Sequence, residues 1–252
     1  MVNKWTREET IVAFNAYCKI PFKNSSKNHP LIVKYAKIIG RSPSALNMKV
    51  GNLGRLDPKL KDKGIVGLSH GAKMEEEIWA EFYNNPNQLA FESECIIAKY
   101  KGAKIEDTIE ISDFPLGEER MSYIRQRVNQ SFFHDIIMSS YDFKCCISGI
   151  RNAELLEACH IIDWSEDAAN RCNPENGLCM NTLFHKAYDK FLIGITPDYT
   201  IVVSEEMLEK TDDKAFRKYL QGINKQRLTL PTRFFPNRDL LDIHYTKFLN
   251  HQ

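Results

Sequence analysis

The stretch Leu155-Leu156-Glu157-Ala158-Cys159-His160-Ile161-Ile162 decides the reading of the chain, together with Asn173-Pro174-Glu175-Asn176-Gly177-Leu178 and His185-Lys186-Ala187-Tyr188-Asp189. Its first part is a short apolar run that ends in a histidine, the pattern of a half-buried strand. Asn176-Gly177 closes a polar loop ahead of a second short run. His185 and Asp189 then follow at a spacing of i and i+4, so on a helix their side chains share one face. Strand, loop, strand and helix in this order bring one imidazole opposite two side chains able to hold a cation. Alternation along the first strand sets Glu157 and Cys159 on the side opposite His160.

Upstream, Met121, Ile124, Val128, Phe132 and Ile136 trace one face of a helix expected over 118–141, with Arg125, Arg127, Asn129 and Gln130 clustered along it. Downstream, 192–195 and 200–204 flank Thr196-Pro197-Asp198-Tyr199 and read as a hairpin that extends the same sheet. Helices expected at 212–221 and 238–250 cover its back.

The N-terminal part has a different character. Thr6-Arg7-Glu8-Glu9 has the form of a capping box, and Ile11, Val12, Phe14, Tyr17 and Cys18 follow at helical spacing, which predicts a helix over 7–19. His29-Pro30 opens a second helix that Gly40 ends, and Ser42-Pro43 caps and starts a third. The third helix carries Asn47, Lys49, Asn52 and Arg55 between its apolar positions, side chains suited to base edges and phosphates in a major groove. Lys49, Asn52 and Arg55, with Arg41 before the helix and Arg127 and Gln130 further on, are the expected DNA-binding residues.

Charge supports that division. Residues 1–74 hold 14 Lys/Arg against 4 Asp/Glu, residues 75–119 hold 3 against 12, and the remainder holds 17 of each. A basic module beside an acidic stretch is the footprint expected of a polyanion-binding domain. Helices are expected over 73–82 and 88–101, interrupted by Asn84-Asn85-Pro86-Asn87, and 103–117 reads as a linker with one short strand at 108–111. The seven cysteines are odd in number and scattered, so reduced thiols are expected; Cys145, Cys146, Cys172 and Cys179 contain no C-x-x-C pair and do not read as a zinc knuckle. No apolar run reaches the roughly 18 residues of a membrane span, and Met1-Val2-Asn3-Lys4-Trp5 lacks the apolar region of a signal peptide, so no membrane association and a cytoplasmic location are expected.

The central stretch resembles the HNH, or ββα-metal, nuclease motif. The likeness extends over Arg127-Val128-Asn129-Gln130-Ser131-Phe132-Phe133, Cys146-Ile147-Ser148-Gly149, Trp164-Ser165-Glu166-Asp167 and Leu183-Phe184-His185-Lys186-Ala187-Tyr188-Asp189 into Leu228-Thr229-Leu230-Pro231-Thr232-Arg233-Phe234-Phe235-Pro236, where it is similar to bacterial HNH proteins of the restriction type. Trp5-Thr6-Arg7-Glu8-Glu9 and Gly40-Arg41-Ser42-Pro43-Ser44-Ala45 resemble the start and third-helix entry of SANT/Myb-type domains.

The resemblance implies His160 as the general base that takes a proton from water, His185 and Asp189 as ligands of one divalent cation, and Asn176 as the residue that orients the loop. It also pairs Glu157 with an arginine near the phosphate, for which Arg127 is the candidate. Mg2+ or Mn2+ is expected, with Zn2+ left open. Two positions depart from the family pattern. Cys159 stands where other branches carry a ligating Asp or His, leaving two protein ligands, and Phe191 stands where relatives carry Gly.

The expected fold is α+β: a helix-turn-helix or SANT-like three-helix bundle over 1–75, a helical and acidic linker over 76–117, and an HNH nuclease domain over 118–252. A lone histidine on a strand, or a His-x-x-x-Asp pair on a helix, is commonly structural; their joint occurrence around Asn-Gly carries the reading. The expected activity is metal-dependent cleavage of double-stranded DNA by a homodimer, in restriction or phage defence. The alternative is a DNA-binding regulator with an inactive HNH fold.

Overall fold

A computed structural model describes residues 4–62, 64, 71–108 and 119–252. The chain divides into two compact units, Met1–Ser139 with Arg171–Asn173, and Ser140–Asn170 with Pro174–Gln252. Among the described residues no helix is long and apolar enough to cross a membrane.

The first unit is helical: α1 (Arg7–Lys19), α2 (Pro30–Ile38), α3 (Pro43–Gly54), α4 (Pro58–Asp62), α5 (Lys73–Phe82), α6 (Pro86–Lys101) and α7 (Glu119–Ser140). The capping box is present at Thr6, whose side chain accepts from the Glu9 amide while Glu9 accepts from the Thr6 amide. Every residue from Glu9 to Cys18 is buried, so α1 is enclosed on all sides, packed by α2, α3, α5 and α6. A helix that carries Ala13, Ala16 and Asn15 between its large apolar residues leaves room for neighbours all round. Asn15 is satisfied there, donating to Ser93 Oγ at 2.5 Å and accepting from Tyr35 Oη at 3.1 Å.

This packing corrects the expected boundary. Ile78, Phe82, Leu89, Ala90, Ile96 and Ile97 of α5 and α6 are buried core, so residues 76–101 belong to the first unit and do not form a linker. Thr108 closes a 3-10 turn, Ile105–Thr108; the rest of the strand expected over 108–111, and Glu118 of the expected helix, lie outside the described residues.

The second unit contains β1 (Leu156–His160) and β2 (Gly177–Asn181), an antiparallel pair in which Leu156 faces Asn181 and His160 faces Gly177. α8 (Thr182–Asp189) follows without a break, its first turn capped by Asn181, which accepts from the Phe184 amide at 2.9 Å. Next come β3 (Ile193–Ile195), β4 (Ile201–Val203), α9 (Glu205–Glu209), α10 (Lys214–Ile223) and α11 (Arg238–Asn250). β3 and β4 form a second, separate two-stranded sheet rather than extending the first. The reason lies at the end of α8, where the chain reverses: the Leu192 amide bonds the Ala187 carbonyl at 2.8 Å and the Phe191 amide bonds Tyr188 at 3.0 Å, a Schellman turn. Phe191 sits in its left-handed position at φ 53°, with its ring against His251 and His244, so the helix ends where a glycine would end it.

Candidate active site

β1 and α8 position the site through a match of periods. Two residues along a strand advance about 6.6 Å and four along a helix about 6 Å. Residues 157 and 159 therefore lie in register with residues 185 and 189. The Glu157 carboxylate is 2.6 Å from His185 Nδ1, and the other ring nitrogen, Nε2, is 3.6 Å from Asp189 Oδ2. Cys159 joins this group: its Sγ and single donor atoms of His185 and Asp189 all lie within 4.8 Å of one another.

The environment grades from dry to wet across this cluster. Cys159 is fully buried, the His185 side chain is 25% exposed, and those of Glu157 and Asp189 are 42% and 49% exposed. Burial, with the Asp189 and Glu157 carboxylates beside it, pushes the Cys159 thiol well above its ordinary range. The thiol donates weakly to the His160 carbonyl at 3.4 Å. Two donors on one zinc-sized ion, each about 2.0–2.3 Å from it, stand roughly 3–4 Å apart. The 3.6 Å between His185 and Asp189 falls in that range, and sulfur, imidazole and carboxylate are all metal-binding donors, so the residues present fit a cation. Glu157 fixes the His185 ring through its outer nitrogen, the usual support for a ligating histidine.

His160 stands one residue past Cys159, at the end of β1 nearest Asp189. Its ring meets that of Trp164 edge-on at 5.7 Å. The chain beyond it is clamped by Asn176, which is fully buried. Its Oδ1 accepts from the Ile162 amide at 2.8 Å, and its Nδ2 donates to the carbonyls of Ile162 at 3.1 Å and Asn170 at 3.3 Å. The Asn176 carbonyl accepts from the Ile161 amide at 2.9 Å. One asparagine thus continues the strand pairing past His160 with side-chain atoms. Asp163 lies just beyond, and Ser165, with the nearby His160, lowers its pKa from the ordinary value.

Several expected residues are placed otherwise. Glu157 meets His185 Nδ1 at 2.6 Å in the second unit, and in the first unit the Arg127 guanidinium donates to Gln130 at 3.2 Å and Tyr123 at 2.9 Å. Lys49 is 6% exposed and its ammonium lies 2.6 Å from the fully buried Glu75, so it is withdrawn from any phosphate. Asn52 donates to Glu75 at 3.3 Å, Arg55 to Glu76 at 3.1 Å, and Arg41 to Glu9 at 2.9 and 2.7 Å. The acids of α1 and α5 thus hold each of these four side chains in a local pair. Sequence reading missed Cys159 as a donor; its position two residues past Glu157, on the same face, was the available signal.

Residues 145–196 match the family described as HNH endonuclease. The matched segment holds His160, Asn176, His185 and Asp189, and the match points to nuclease activity in general. No curated protein and no solved structure matches the chain.

Proposed function

We propose that the protein is a metal-dependent DNA endonuclease whose second unit hydrolyses phosphodiester bonds. The observation that carries this reading is the convergence of Glu157, Cys159, His185 and Asp189 beside the end of β1 where His160 stands, inside the segment that matches the HNH endonuclease family. His185 and Asp189 would hold a divalent cation, whose positive charge would serve the phosphate oxygens. Glu157 accepts from His185 Nδ1, so Nε2, on the Asp189 side, is the nitrogen that would hold the ion. His160 takes a proton from the attacking water, and Asn176 sets where His160 stands by pinning the backbone at Ile162.

A restriction or phage-defence role rests on the likeness of 127–133 and 228–236 to bacterial restriction-type proteins. One site cuts one strand, so cleavage of a duplex calls for two chains.

The test is nicking of a supercoiled plasmid by the full chain with Mg2+, Mn2+ or Zn2+. Cutting that needs added metal, stops with a chelator and is lost in His185→Ala and Asp189→Ala supports the reading. Folded protein that cuts no DNA with any of the three would leave the inactive, DNA-binding alternative.

A further inference from the structure

We infer that Cys159 is a third protein ligand and makes the site selective for Zn2+ over Mg2+; this deepens the proposed nuclease reading and rests on it for the function of the ion. Cys159 Sγ shares a space under 4.8 Å across with donor atoms of His185 and Asp189, and it is fully buried on the strand face that carries Glu157. The register of β1 against α8 puts a sulfur where an oxygen or nitrogen donor would serve a harder ion. Mg2+ takes near-octahedral oxygen donors and keeps several waters, and a buried sulfur offers it neither. Zn2+ takes sulfur, nitrogen and oxygen together, and three protein donors with one open position is the pattern of zinc sites that do chemistry. Binding converts the thiol to thiolate, its proton leaves to the buffer, and the weak bond to the His160 carbonyl is given up.

The experiment uses the full chain under reducing conditions. Protein loaded with Zn2+ and dialysed against excess Mg2+ keeps about one zinc per chain, and the Co2+-substituted chain shows the ligand-to-metal charge-transfer absorption of a sulfur–cobalt bond. Cys159→Ser loses that absorption and weakens zinc binding by more than the roughly 10–100-fold expected for losing an outer partner. Glu157→Gln keeps the absorption and weakens binding within that range. Cys159→Ala, checked by circular dichroism, serves if Cys159→Ser does not fold. Bound cobalt without the sulfur band, or an equal band in Cys159→Ser from another thiol, overturns the inference. The two readings fail separately: a chain with the band that cuts no DNA keeps the zinc ligand and loses the nuclease, while a chain that cuts with Mg2+ and shows no band does the reverse.

Discussion

At the scale of single residues, Asn176 and His185 carry the geometry. Asn176→Ala leaves the Ile162 amide and carbonyl without their partners in a buried place, which costs about 1–3 kcal/mol for the unsatisfied donor. The expected outcome is a lower urea midpoint together with slower cutting, since His160 loses the anchor two residues after it. Asn176→Asp is expected to cost stability too, because a carboxylate replaces the Nδ2 donor that bonds Ile162 and Asn170. Asn176 was legible in the sequence as the residue closing the loop. Its atoms were not: that one side chain would imitate a strand's donor and acceptor follows from how far the β1 register runs. Cys159 was visible only as a departure from a pattern, because its role depends on the phase of a strand against a helix 26 residues away.

At the scale of elements, local signals fixed boundaries better than partners. Thr6, Ser42 and Asn85 cap α1, α3 and α6 through side-chain oxygens, and α11 begins at Arg238 after Asn237 caps it. The face that α3 turns inward was not legible. Lys49 lies on the same helical stripe as Val50 and Leu53 nearly enough to be buried, and Glu75 arrives from α5 to meet it. Lys49→Ala removes the nearest cation from the buried Glu75 carboxylate, which keeps Asn52 at 3.3 Å and Arg55 at 3.7 Å, and is expected to cost about 1–3 kcal/mol in a urea melt. If Lys49 instead touched phosphate, the substitution would leave stability alone and reduce the salt slope of DNA binding by about 1.

Between α8 and α11, the Tyr188 and His244 rings stack at 3.7 Å, and burial lowers the His244 pKa to about 4. The folded pKa is below the unfolded value of roughly 6.5, so the neutral ring's contribution is complete above that value and is lost as pH falls toward 4. His244→Phe is expected to flatten the decline in urea midpoint between pH 6.5 and 4; an unchanged decline would assign it to other groups.

At the scale of the whole molecule, the charge contrast between residues 1–74 and 75–119 has an internal use. Arg7 pairs with Glu81 at 2.6 Å and Glu92 at 2.5 Å, and Lys99 with Glu8 at 2.7 Å, beside the Lys49 and Arg55 pairs already described. Composition showed the two signs, and only the packing of α5 and α6 on α1 shows that they meet. For the same reason a fragment ending at residue 75 removes buried faces of α1 and is expected to unfold, whereas one ending near Ser139 keeps them; circular dichroism and urea melts of the two distinguish these outcomes.

The catalytic proposal is decided most directly by the rate at which supercoiled plasmid is nicked by His160→Ala, carrying the same measured metal content as the unaltered chain. Removal of a general base is expected to slow cutting by about 100-fold or more while metal content and fold stay the same. Equal rates in the two proteins would contradict the role of His160 and, with it, the proposed division of labour between β1 and α8.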